Sequence, residues 1–144
     1  MQPRNTHRAE HDFRESLGYQ RASPLRCGAR GSETLRRSPA VGSILKRQEQ
    51  NGGWIAAIGG GALSLRSHGI AIGKCLTTHR RIQDDLRDGG LHNVCNLRVC
   101  VDGNIITSQG PGTAFEFALT VVEKLVGPDG ISDLRDDLAL LNWG

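Results

Sequence analysis

Large aromatic side chains are scarce in this sequence, at 4% of 144 residues against 19 glycines. Such a chain has few bulky core anchors and many tight turns, so a thin core is expected. Long apolar runs are missing too. No stretch approaches the roughly 20 consecutive apolar residues of a membrane-spanning helix, and the first residues lack the apolar segment of a signal peptide. A soluble, cytoplasmic protein with no membrane partner is the expectation. An arginine-rich leader is also a feature of mitochondrial transit peptides, but Glu10, Asp12 and Glu15 and the lack of a continuous apolar stripe count against that address. Paired CxxC spacing is absent, so Cys27, Cys75, Cys95 and Cys100 are read as reduced thiols. Cys95, Cys100 and His92 could form a zinc site, but no strong spacing supports one, structural thiols are the plainer expectation, and neither a metal nor a cofactor is called for.

What is present suits one domain, since two independent cores in this length would each be marginal. The formal charge of +3 is unevenly spread: residues 1–47 carry ten Lys/Arg and four Asp/Glu, or +6, and residues 48–144 carry eight and eleven, or −3. The basic arm can attract nucleic acid, yet its arginines are interspersed with acids, and a solvated tail is the plainer expectation. Residues 1–27 show no sustained period and read as irregular or disordered.

Order is expected from Ser38, a helix cap followed by Pro39, which starts an amphipathic run to Gln50. Trp54–Ile58 is continuously apolar between glycines and reads as a buried strand. Gly59-Gly60-Gly61 turns it into a helix over Ala62–His68. A strand at Cys75–Thr78, a polar helix around Arg81–Arg87, and a hairpin of Leu97–Val101 with Ile105–Ser108 around Asp102-Gly103-Asn104 follow. Thr113–Glu116 has the form of a capping box, with Phe115, Ala118, Leu119, Val122 and Leu125 as the apolar stripe of the next helix. A short helix at Ser132–Asp136 and the apolar run Leu138–Leu141 end the chain. Alternating strands and helices imply an open, mostly parallel α/β sheet.

In such sheets the working surface lies at the carboxyl ends of the strands, which makes neighbours of the Gly59–Gly61 loop and the residues after Thr78. A sharp strand-to-helix turn there exposes its first residue to helix N-terminal amides, and covalent chemistry needs Ser or Cys in that place. Gly59 offers only backbone, and His79 then has no thiol or hydroxyl to deprotonate. Ser64, one turn into the helix, and Cys75, on the next strand, are the substitutes to weigh. Gly59, Gly61 and Ser64 approximate a GxGxxG phosphate turn, but the third glycine and the acidic residue about 20 positions on are lacking. Gly110-Pro111-Gly112 is a second anion candidate.

The stretch from Asp102 through Gly110-Pro111-Gly112-Thr113 to Leu119 closely resembles the ThiJ/PfpI superfamily, in particular its parkinsonism-associated deglycase branch. The resemblance runs back through Thr77-Thr78-His79, Gly59 and Ala56-Ala57-Ile58 and covers roughly residues 28–142, dividing the chain into an unmatched arm, 1–27, and a partial α/β domain, 28–144. It implies a flavodoxin-like fold, a homodimer, and an elbow cysteine serving as nucleophile and oxidative-stress sensor, at the position of Gly59. It also implies a histidine, matched by His79, and a backbone oxyanion site near Gly28 and Gly60. Cys27 stands where glycine is usual, and Ala62 and Arg80 where proline is. The family's glutamate that hydrogen-bonds the thiol belongs to an N-terminal half, with the first strands of the sheet, that has no counterpart here. A non-catalytic protein that pairs with itself or with an intact relative is therefore expected. The alternatives are an active deglycase or glyoxalase on small aldehydes using Cys75 or Cys27, and an anion- or nucleic-acid-binding module.

Overall fold

A run of apolar residues between glycines can only be a strand if both its faces find cover, and in this chain Trp54–Gly59 (β2) does. The computed structural model describes residues 22–138, of which 22–27 are described as backbone only. Four strands form the main sheet in the order β1 (Ala22–Cys27), β2, β6 (Ile105–Ser108), β5 (Val99–Asp102). The first three are parallel, with Cys27 opposite Gly59 and Ile58 opposite Ser108, and β5 is antiparallel to β6. The mostly parallel α/β sheet with flanking helices expected from the sequence is thus observed. A separate parallel pair joins β3 (Cys75–Leu76) to β4 (Asn93–Val94).

The strand at 22–27 corrects the reading of residues 1–27 as irregular throughout. Its apolar spacing carries no period because the order comes from backbone pairing with β2. Pro24 is tolerated because β1 is an edge among the described strands. The basic arm, residues 1–21, and the run from 139 onward lie outside the described residues.

Helices α1 (Ala29–Arg37), α2 (Pro39–Gln50), α3 (Ala62–Ser67) and α4 (Gln83–Arg87) connect these strands. The Ser38 hydroxyl accepts the Val41 amide, as its cap position predicted. The hairpin turns at Gly103 with φ +58°, a conformation glycine takes without a side-chain clash. The expected strand at Cys75–Thr78 is shorter and outside the main sheet. The Thr77 amide goes to the Thr107 hydroxyl and the Thr78 hydroxyl to Gly59, so neither residue continues a ladder.

The long helix α5 (Ala114–Val126) is where expected, but its cap is not. Thr113 Oγ1 accepts the Gly110 amide in the preceding 3-10 turn (Pro111–Thr113), and the Glu116 carboxylate pairs with Arg98 at 2.8 Å. The buried stripe differs too. Leu119 of the expected stripe is buried, but it is Phe117 and Val121 that face the sheet, while Phe115 is 59% exposed, because α5 is apolar around more of its girth than one stripe requires. Helix α6 (Pro128–Asp137) follows Gly127, whose φ of +86° ends α5.

The two faces of the sheet are unequally covered. Against α2, α3 and α4 lies a large cluster that includes Leu45, Ile55, Ala57, Leu65, Leu76 and Leu86. On the other face, among the residues with described side chains, only Ala56, Ile106 and Phe117 are buried together, under α5. Cutting Leu45, 1% exposed, to alanine is expected to lower the unfolding free energy by about 2–5 kcal/mol in a urea titration. Phe115→Ser, on the uncovered face of α5, is expected to change it by less than about 0.5 kcal/mol and to raise solubility.

Candidate functional site

The parallel strands β1, β2 and β6 all end on one side of the molecule, so the segments that follow them converge there. After β1 comes Gly28, after β2 the turn Gly59–Gly60, after β6 Gln109–Pro111, and after β3 His79. All of these line one open cleft of about 1120 Å³. Its floor and far wall are apolar, from Ile58, Leu63, Phe117, Ala118, Val121 and Val122. Its rim carries Glu33, Arg36, His79, Arg81 and Gln109. The four residues singled out in the sequence, Gly28, Gly59, Gly60 and His79, are thus brought together.

Gly59 closes β2 with φ +57°, the left-handed backbone of a sharp strand-to-helix turn. The expected neighbourhood of the two loops is made by Thr78, whose buried hydroxyl donates to the Gly59 carbonyl at 2.8 Å. Ser32 does the same between α1 and the elbow. Its amide donates to Gly28 O at 2.9 Å and its hydroxyl to Gly60 O at 2.7 Å. Both residues escaped sequence reading, and the signal that was available is only that a small polar side chain next to a glycine turn needs a partner once buried. Gly28 caps α1 without a side-chain acceptor, so the first-turn amides of that helix open toward the cleft.

His79 is exposed and packs against Gly110, where an added methyl group would meet its Cδ2 at 3.4 Å. Its Nδ1 accepts the Arg81 amide at 3.2 Å, which places the proton of the neutral ring on Nε2. In that state the free edge of the ring donates a hydrogen bond and is not a base. Next to it, Arg80, Arg81 and Arg98 border a smaller hollow of about 430 Å³ over Gly110–Thr113. The Glu116 carboxylate occupies Arg98 and raises its already high pKa.

The two substitute nucleophiles do not reach the cleft. Ser64 is fully buried without a hydrogen-bond partner, and Cys75 lies with Cys95 and Cys100 beside β5. Nor does His92 join those cysteines: its Nε2 is held by the Ile70 carbonyl at 2.7 Å, and among the described residues the sulfurs group with one another and not with its Nδ1. The grouping of Cys95, Cys100 and His92 weighed from the sequence is therefore not formed, and Cys75 stands beside the two cysteines instead.

The model of the DJ-1/PfpI family matches residues 25–124. The chain belongs to that family. Over 113 residues it is 46% identical to a Parkinson disease protein 7 homolog from Danio rerio, and 40% identical to a glutathione-independent glyoxalase, DJR-1.2, from Caenorhabditis elegans. Each match takes 78% of this chain but 60% of the relative, so the chain spans about three fifths of the length of these relatives. The crystal structure of DJ-1beta from Drosophila melanogaster superposes with a TM-score of 0.82 at 35% identity, over 88% of this chain and 68% of that one. The flavodoxin-like α/β fold follows from that likeness. No helix among the described residues is long and apolar enough to cross a membrane.

The Thr78 link is open to direct test. Thr78→Val leaves the Gly59 carbonyl buried without its donor and is expected to cost about 1–3 kcal/mol in chemical denaturation, while Thr78→Ser retains most of the stability.

Proposed function

We propose that this chain is a non-catalytic member of the DJ-1/PfpI family, acting in oxidative-stress physiology by pairing, with a second copy or with an intact relative. The observation that carries the reading is Gly59 itself. The elbow that would present a nucleophile to the cleft ends in a residue without a side chain, and no cysteine with a described side chain lines the cleft. His79 supports it, since its Nδ1 serves the backbone. Pairing is supported by the apolar wall of the cleft and the exposed Phe115 and Val126 on α5, surface that a monomer leaves wet. The backbone amides near Gly28 and Gly60 would still receive an anionic oxygen, so binding of a small carbonyl compound without turnover fits the same site.

One observation favours a rival. In the β1–β2 register Cys27 stands opposite Gly59, so a second thiol-bearing residue borders the elbow along the backbone. On that reading the chain is an aldehyde-consuming enzyme of the deglycase or glyoxalase type, like the relatives whose names carry that activity. Methylglyoxal consumption by the reduced, purified chain separates the two. We expect no turnover above buffer, and a sedimentation velocity run showing dimers. Turnover comparable to that of an intact relative, abolished by Cys27→Ser and accompanied by a covalent adduct on Cys27 in mass spectra, would establish the rival. Gly59→Cys should restore a reactive thiol while costing roughly 1–3 kcal/mol of stability, because its φ is left-handed.

A further inference from the structure

Far from the cleft, at the opposite edge of the main sheet from β1, three cysteines meet. Cys75 opens β3, Cys95 directly follows β4, and Cys100 lies in β5. In sequence they are separated by 20 and 5 positions, so Cys95 and Cys100 alone have a spacing within the zinc-ligand range and Cys75 is remote from them. The fold closes that gap by three backbone links. The Cys95 amide donates to Leu76 O at 2.9 Å and the Cys75 amide to Asp102 Oδ2 at 2.8 Å. Cys100 Sγ lies 3.3 Å from the Cys75 carbonyl. The three sulfur atoms end within 4.8 Å of one another, with Cys100 buried and the other two half-buried.

From this geometry we infer that Cys75, Cys95 and Cys100 form a three-thiolate site for a thiophilic divalent cation, zinc in the first instance, distinct from the cleft. Tetrahedral zinc with bonds of about 2.3 Å sets its sulfurs roughly 3.8 Å apart, so closing the cluster needs a movement of about 1 Å or less. Three thiolates match soft cations and leave hard ones such as magnesium and calcium to oxygen ligands. Among the described residues no histidine or carboxylate completes the group, and Asp102 is engaged by the Cys75 amide and by Lys74. Solvent takes the fourth position. Binding exchanges the three S–H protons for one Zn²⁺, leaving the protein groups otherwise unchanged and the site with a single negative charge.

The environment of the cluster is by itself a poor place for thiolates. Burial pushes the Cys75 and Cys100 thiols up, and the neighbouring Cys95 adds to the rise on both. A bound cation removes that repulsion by supplying the missing positive charge. It would also clip the two-residue strands β3 and β4 to β5, and these short strands otherwise rest on few ladder bonds.

The test uses the full chain, reduced and stripped of metal, titrated with zinc alone against a competing chelator, and with cadmium to follow the ultraviolet thiolate charge-transfer band. One metal per chain is expected, with three thiols protected from alkylation. Cys75→Ser and Cys95→Ser, both at half-exposed positions, should each weaken zinc binding by roughly 100-fold or more, beyond the effect of losing a merely supporting residue. Cys27→Ser should leave it unchanged. Zinc bound equally well by Cys75→Ser and Cys95→Ser, binding lost with Cys27→Ser, or no binding by a reduced chain whose circular dichroism shows it folded would each overturn the assignment.

Discussion

Strand β2 can persist only with apolar atoms on both faces, since Trp54–Ile58 presents no polar group to water along its length. Ile55 and Ala57 go into the large cluster under α2, α3 and α4, and Ala56 and Ile58 into the small one under α5. Flanking β1 and β6 then satisfy its backbone, and their common direction brings three strand ends to one place. The same constraint creates the cleft. Helix α5 covers the second face at Phe117 and Val121, and its side chains line the apolar floor and wall of the cavity together with Ile58 and Leu63.

The polar groups around that floor are spent mainly on holding loops. Ser32 ties the start of α1 to the elbow, Thr78 ties the elbow to the segment carrying His79, and His79 caps its own turn through Nδ1. Each bond is neutral and satisfied, the first two across 28 and 19 residues of sequence and the third within one turn. An active elbow would instead show a nucleophile with an acceptor nitrogen aimed at it, so the arrangement preserves the architecture of a family site with its chemistry unprovided for on the proposed reading.

Element type and order were legible in the sequence wherever a local rule was decisive. Ser38-Pro39, the glycine-bounded β2 and the Gly103 turn each carry their own physical cause. Pairing was not legible. Residues 22–27 have no apolar period and are ordered by the edge of β2, and β3 exchanges the main sheet for β4 because Thr77 and Thr78 are drawn to Thr107 and Gly59. The inner face of α5 was misread for a related reason: a helix apolar over most of its circumference does not reveal which stripe faces the sheet. At the site, the glycines and His79 could be read because turns are local, whereas Ser32 and Thr78 depend on contacts across 28 and 19 residues, and the three-cysteine cluster on bringing Cys75 to Cys95, 20 positions on.

Glycine at the elbow also bears on how so thinly covered a sheet holds together. At φ +57° a residue with a Cβ stores about 1–2 kcal/mol of strain, and a site of that kind persists only where surrounding packing over-determines it. Natural domains keep about 5–15 kcal/mol in all, so the strain is a sizeable fraction. Here, among the residues with described side chains, the second face buries only Ala56, Ile106 and Phe117 together, and the packing they give a strained nucleophile is slight. On the proposed reading the two features belong to one another: a backbone relieved of its strained side chain needs less cover, and the wall left bare by the thin face becomes surface for a partner.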